Sequence, residues 1–206
     1  VLPSGQTLYW VWTCMPLGII DAAWIFTKLT KPIMSHLRKR GKRCTIYIDD
    51  LFNCHQTFEG CAIQEDYIHS QFGKGGWVFK PEKSSGPPSQ TVKYLGLMIN
   101  SLSMTFSIPD SKFEAIVSDS IKFLSLKSFP VRDLASFVGK LQSLRLAIGP
   151  IISIMCKALY KVISLAPFWS SFVKLDKNSR FEVEWWRDNL QYFSSYPIIL
   201  DDTSVH

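Results

Sequence analysis

Several things are missing from this sequence, and each absence excludes something. No apolar run approaches the roughly 18 residues that a membrane span requires, and no signal-peptide pattern is present. No membrane partner is expected. There is no internal repeat and no low-complexity tract, so neither a solenoid nor a flexible linker array is indicated. Regular cysteine spacing is also absent. The five cysteines are Cys14, Cys44, Cys54, Cys61 and Cys156, an odd and irregular set that argues against a disulfide framework. A reducing, intracellular setting follows, cytoplasmic or nuclear. Cys54, Cys61 and His69 invite a zinc reading, but no pair among them has tight zinc-ligand spacing, so a structural role is the expectation. Acidic residues are missing from one long stretch. None lies between Asp21 and Asp49.

That stretch instead holds Lys28, Lys31, Arg38, Lys39, Arg40, Lys42 and Arg43, in a chain of net charge +6. A phosphate backbone suits such a cluster. A solvated helix end is the alternative, because cations also favour the C-terminal end of a helix dipole. The 206 residues are 47% hydrophobic, enough for one ordinary core or a core with a small satellite. The chain opens on Val1, not Met, and is read as a piece of a longer product.

Residues 8 to 14, LYWVWTC, are rich in aromatic and β-branched types and predict a strand. A helical pattern starts with Asp21 as N-cap, and Ala22, Ile25, Phe26 and Leu29 share one side. Pro32 is expected to bend or restart this helix and Gly41 to end it. CTIYI (44–48) reads as a strand, Asp49-Asp50 as a turn, and Leu51-Phe52 as the return strand, both strands buried. Residues 59–72 read as a helix, WVFKPEKS as a strand and turn. Residues 92–99 and 102–108 read as a hairpin around Asn100-Ser101. Helices are then predicted over 110–127, 131–147, 151–165 and 177–193, the first with Phe113, Ile116, Val117, Ile121 and Leu124 facing inward. In the second, Leu134, Phe137, Val138, Leu141, Leu144 and Ile148 face inward, leaving Lys140 and Arg145 outside. Strands followed by a block of helices predict an α+β fold.

Two adjacent aspartates mean little alone, since 17 acids make about one acidic pair by chance. Their apolar flanks place them at the tip of a hairpin, where paired carboxylates project towards a cation such as magnesium. The alternative is an exposed turn in which Asp makes local hydrogen bonds.

The order of motifs resembles the reverse transcriptases of retrotransposons, most closely the DIRS-like, tyrosine-recombinase group. YIDDLF is similar to the family's catalytic turn. YWVWTCMPLGIIDAAWIFTKLTKP resembles the Pro-x-Gly segment and its helix, GWVFKPEKS the segment ending in a lysine, and KYLGLMI the primer grip. VRDLASFVGKLQSLRLAIGP is similar to the thumb helices. Leu17 and Ala23 depart from the usual Phe and Pro.

The resemblance implies a right-hand polymerase palm, an antiparallel sheet with helices, followed by a helical thumb. The palm with its primer-grip hairpin would span 1–108 and the thumb 109–166. A connection and the start of a ribonuclease H-like domain would span 167–206, with Asp202 as that domain's first metal ligand. Asp49 and Asp50 would be metal ligands for two magnesium ions, with manganese as a substitute. Lys83 would protonate departing pyrophosphate, or else be a solvated loop lysine. Pro16, Gly18 and Tyr47 would meet nucleotide or template; Gly18 is otherwise a turn glycine and Tyr47 a strand aromatic. Tyr94, Leu95 and Gly96 would form the primer grip, or Tyr94 and Leu95 plain hairpin core. Lys140 and Arg145 would touch the duplex backbone or simply be solvated. Partners implied are an RNA or DNA template with primer, deoxynucleoside triphosphates, and the rest of a retroelement polyprotein, including ribonuclease H and a recombinase.

The family takes a further metal-binding aspartate from a strand before the Pro-x-Gly segment. No acid precedes Asp21 here, so the chain is expected to be an incomplete, inactive polymerase fragment. Two competing readings stand beside it. One is a non-catalytic nucleic-acid-binding remnant of a decayed or co-opted element. The other is an unrelated structural protein whose Asp-Asp turn is incidental.

Overall fold

A proline sits in the middle of the first helix without ending it. In the computed structural model α1 runs unbroken from Ala22 to Lys39 through Pro32. Proline removes the N–H that would have met the Lys28 carbonyl. Lys28 and Pro32 both lie on the exposed side, where that carbonyl is not shut away from solvent. The model describes residues 18–84 and 86–198 together with Thr7 and Tyr9. The strand expected at 8–14 (apart from Tyr9), Pro16 and Asp202 lie outside the described residues.

The chain divides into two compact units, Val1–Pro88 and Ser89–His206. In the first, α1 buries Thr30, Met34 and Leu37, a stripe at helical spacing. Leu29, grouped with Ala22, Ile25 and Phe26 on one side, is 57% exposed, and the buried residues of α1 all lie from Thr30 onwards. Asp21 makes no side-chain cap. β1 (Cys44–Tyr47) and β2 (Asp50–Asn53) pair antiparallel, with Cys44 opposite Asn53 and Tyr47 opposite Asp50. These strands are half-buried at best, because alternate residues of β1 face solvent. α2 (Phe58–Lys74) starts at Thr57, whose hydroxyl accepts from the Gly60 N–H at 3.1 Å. It buries Gln64, Ile68 and Phe72. Ile68 and Phe72 join Met34 and Leu37 in one small core, against which Cys44, Ile46 and Leu51 pack.

Residues 77–80 form no strand, against expectation. Their aromatics pack in place of a ladder. Trp77 meets Phe26 edge-on at 4.7 Å, and Phe79 stacks on His69 at 4.1 Å. A short 3-10 turn follows at Pro81–Lys83.

The second unit opens with β3 (Thr91–Tyr94), β4 (Leu97–Asn100) and β5 (Thr105–Ser107). The expected single strand over 92–99 is itself a hairpin. Leu95 and Gly96 take φ +48° and +76°, the positive pair of a tight two-residue turn. The second reversal follows at Asn100, whose side-chain oxygen accepts from the Leu102 and Ser103 N–H groups at 2.9 and 3.0 Å. β8 (Ser195–Pro197) pairs with β5 and completes a four-stranded antiparallel sheet, β3-β4-β5-β8.

Between β5 and β8 come α3 (Asp110–Ser125), β6 (Phe129–Pro130), α4 (Val131–Gln142), α5 (Arg145–Ile148), α6 (Lys157–Ser164), β7 (Phe172–Val173) and α7 (Lys177–Asn189). All six residues expected inward on 131–148 are buried. The predicted helix breaks into α4 and α5 after Gln142. On α3, Ile121 is 55% exposed and Phe123 takes its place, edge-on to Phe129 at 4.6 Å and Phe137 at 5.5 Å. α6 starts at Cys156 and has no side-chain cap of its own. The buried Glu182 of α7 supplies one, its carboxylate accepting from the Ala158 and Leu159 N–H groups, both at 2.9 Å. Trp186, also on α7, donates its indole N–H to the Met155 carbonyl at 2.7 Å. No described helix is long and apolar enough to cross a membrane.

Two outcomes follow. Phe137→Ala should destabilise the second unit by about 3–5 kcal/mol, while Ile121→Ala should cost under about 0.5 kcal/mol; denaturant unfolding measures both, and equal costs would contradict this packing. Burial first, and Glu182 second, push the Cys156 thiol up to about 12. The raised value contributes stability that is fully present below the unfolded thiol's range and lost as pH rises towards the folded one. Alkylation of the native chain at pH 8, mapped by mass spectrometry, should modify exposed Cys54 and spare Cys156 until unfolding. Equal labelling would show that Cys156 is not enclosed.

Candidate metal and nucleic-acid site

The β1–β2 connection is as short as a hairpin allows. Tyr47 and Asp50 are the last paired residues, and only Ile48 and Asp49 lie between them. Ile48 takes φ +53°. A first turn position with positive φ ordinarily calls for glycine, and a β-branched residue there is a true outlier. Strain of this kind costs on the order of 1–3 kcal/mol and persists where the surroundings over-determine it. Its effect is to set Asp49 at the tip and Asp50 at the first position of β2, both exposed, with Tyr47 59% exposed beside them.

Two adjacent carboxylates, open to solvent on a stiff turn, suit a hard cation that keeps water and takes phosphate oxygens. Magnesium binds in that manner. Among the described residues no group of three or more metal-ligating side chains forms, so the turn offers two carboxylates and no more. The zinc alternative at Cys54, Cys61 and His69 has no such group either.

Other expected site residues are spread over the fold. Gly18 precedes α1 with φ +89°, a conformation that side chains strain to adopt, though no described atom lies within 4 Å of where a Cβ would sit. Lys83 closes the 3-10 turn and is exposed. Tyr94, Leu95 and Gly96 make the β3–β4 turn in the second unit. The Lys112 side chain covers the position a Gly96 Cβ would take. Lys140 is ion-paired to Asp119 at 2.7 Å, whereas Arg145 is exposed on α5. The structure therefore brings together Tyr47, Asp49 and Asp50 on one turn and Tyr94 to Gly96 on another.

The basic stretch keeps its charge. The ion pairs Lys122–Asp133, Lys140–Asp119, Arg180–Glu184 and Arg187–Asp188 all lie in the second unit. Lys28 lies over the Trp24 ring at 5.2 Å and Lys42 over Tyr67 at 5.3 Å. Arg38 donates to the Cys44 carbonyl at 3.3 Å, and Arg40 to His36 Nδ1 at 2.9 Å. Lys31 and Lys39 point outward on α1. The cations thus meet rings, carbonyls and an imidazole, none of which neutralises them.

Gln64 is not among the site residues expected from the sequence. It is 2% exposed and lies at the open end of the β1–β2 hairpin. The one available signal was its place on the Ile68–Phe72 stripe, where a polar residue has to find partners.

No family model matches the sequence, and no curated protein matches it. Solved structures do. One is a foamy viral protease-reverse transcriptase dRH in complex with double-stranded DNA, 19% identical over 94% of this chain and 31% of that one, with TM-score 0.68. Another is the foamy viral protease-reverse transcriptase in complex with an RNA/DNA hybrid, 18% identical over 89% of this chain and 23% of that one, TM-score 0.70. The chain spans less than a third of either. The likeness is one of fold, and the fold is the α+β palm-and-thumb type of a polymerase, with antiparallel sheets and helices.

Ile48→Gly tests the strain. Relief at φ +53° outweighs the added chain entropy of glycine, so the first unit should gain about 1 kcal/mol, read from urea unfolding. A loss of stability would mean that the turn is relaxed as it stands.

Proposed function

We propose that this chain is palm and thumb of an RNA-directed DNA polymerase of a retroelement, akin to the DIRS-like group. Residues 1–108 would serve as palm and 109–166 as thumb, and 167–206 would lead into a ribonuclease H-like domain. The observation that carries the reading is the Tyr47–Asp50 turn, with its strained Ile48, within a chain of polymerase fold. Asp49 and Asp50 would hold the catalytic cations, magnesium with manganese as a substitute. Bound there, such ions would polarise a primer hydroxyl and neutralise the leaving pyrophosphate.

The chain's own groups supply the rest. Lys83 would serve as proton donor to the departing phosphate oxygen. Gly18 leaves room for nucleotide or template beside the backbone. Tyr94, Leu95 and Gly96 present a rigid turn to the primer. Arg145 is open for a phosphate, while Lys140 would have to exchange its Asp119 partner for one. Template, primer and deoxynucleoside triphosphates are the partners this implies. The foamy viral structures, solved with DNA and with an RNA/DNA hybrid, support a nucleic-acid duplex in that role.

A second reading is a nucleic-acid-binding module without catalysis. It is favoured by one specific observation, the run of cations from Lys28 to Arg43 with no acidic residue within it, of which Lys31 and Lys39 are exposed on α1.

Manganese titration of the 206-residue chain separates the two. Paramagnetic broadening should centre on amides 47–51 and vanish in Asp49→Asn. Duplex binding should survive that variant, and broadening absent from the native chain would favour the non-catalytic module. Lys31→Gln and Lys39→Gln should each lower the salt slope of RNA/DNA hybrid binding by about 1. With two carboxylates and no third ligand among the described residues, these residues alone should give no magnesium-dependent primer extension; detectable extension would contradict that.

A further inference from the structure

The tip of the hairpin holds Asp49 and Asp50, and its open end is closed by a single buried amide. Gln64 Nε2 lies 3.2 Å from the Arg43 carbonyl, 3.2 Å from the Cys54 carbonyl and 3.4 Å from Asn53 Oδ1. Arg43 immediately precedes β1 and Cys54 immediately follows β2. The Cys54 N–H also donates to the Arg43 carbonyl at 3.0 Å, so this is the last rung of the ladder. All three neighbours of the amide are acceptors, so its nitrogen and not its oxygen faces them. One turn earlier on α2, Cys61 Sγ lies 3.3 Å from the same Asn53 Oδ1. Asn53 is therefore held from two positions on one helix.

We propose that Gln64 is a positioning residue for the Asp49-Asp50 cation site, fixing the hairpin to α2 by bridging the ends of both strands. The inference rests on the reading of the turn as a cation site. A hairpin of four paired positions pivots about its attachment. Its apolar contacts, through Cys44, Ile46 and Leu51, are non-directional and resist sliding weakly. Hydrogen bonds to Arg43 and Cys54 carbonyls are directional. They are part-buried, and the donor side chain itself is 2% exposed, so losing them strips both carbonyls of that donor where water reaches them less freely than at the surface. Gln64 thus acts at the end of the hairpin opposite the carboxylates and sets the direction in which they project. No other buried side chain of the first unit donates to both strand ends among the described residues.

The test uses the full 206-residue chain with Gln64→Met, which keeps length and removes the donors. Gln64→Asn, which keeps the amide but shortens its reach, serves if the first variant folds poorly. Two signals are read: amide hydrogen exchange along the chain, and manganese broadening of amides 47–51. Exchange at Cys54 and in β1 and β2 should accelerate by about tenfold or more, with residues 110–193 unchanged. The manganese midpoint should rise several-fold while the second unit melts as before. Unchanged hairpin exchange overturns the proposal. So does faster exchange with an unchanged manganese midpoint, which would make Gln64 a structural residue only. If the native chain shows no broadening at 47–51, the cation reading fails and takes the positioning role with it. That failure is recognisable because the exchange response to Gln64 is still measured.

Discussion

A two-stranded ladder of four residue pairs does not hold its shape in water by itself. Everything described in the first unit answers to that constraint. α1 and α2 supply a small core under one face of the hairpin, through Met34, Leu37, Ile68 and Phe72. Arg38 reaches from α1 to the Cys44 carbonyl, and Gln64 reaches from α2 to the far end of both strands. The segment after α2 gives up strand pairing and returns Trp77 and Phe79 to the same core. Held on these sides, the hairpin tolerates a β-branched residue at positive φ in its turn. An unsupported hairpin would relax that geometry, and the two carboxylates would lose their fixed direction.

The second unit is organised differently. Its core is deep and continuous, built from Leu134, Phe137, Leu141 and Leu144 on one side and Val183, Trp186 and Leu190 on the other. Of its buried polar side chains, Ser120 and Ser179 bond within their own helices, and Glu182 bonds across to another. Glu182 caps a helix whose own first residue cannot, and Trp186 takes the carbonyl beside it. α7 meets its own start locally, through Asp176, which accepts from the Ser179 N–H at 2.7 Å and from its hydroxyl at 2.6 Å. These bonds hold the Asp176 carboxyl below its ordinary range, the Ser179 hydroxyl first. Removal of α7 would therefore expose apolar surface and orphan two amides of α6 at once.

Much of this was legible in the residues. The α4–α5 stripe was read correctly because six apolar positions recur at helical spacing with no competing pattern. The hairpin bearing Asp49 and Asp50 was legible because apolar runs flank a polar pair, but its turn is Ile48-Asp49 and not Asp49-Asp50, since Asp50 pairs with Tyr47 as the first residue of β2. The 92–99 segment was misread because Leu95-Gly96 lacks the Asn or Asp that usually marks such a turn, and only the glycine hinted at it. Ile121 and Phe123 were exchanged because both fit a helical face, and the aromatic pocket of Phe129 and Phe137 decides between them. Gln64 and Glu182 were illegible for a shared reason. Their partners are backbone atoms 10 to 24 residues distant, and backbone carries no sequence signature.

The pairing of β5 with β8 has a consequence for how the chain acquires its structure. Thr105 lies opposite Pro197, and every helix from α3 to α7 falls between them. Contacts so distant along the chain are slow to form, because loop closure precedes any gain from pairing. During synthesis β3, β4 and β5 are complete long before Ser195 emerges. One side of β5 then remains an open strand edge, ready to pair with another chain. The helices must assemble first and carry β8 back, so the sheet's final strand joins late, and crowded nascent chains would be most prone to associate in that interval.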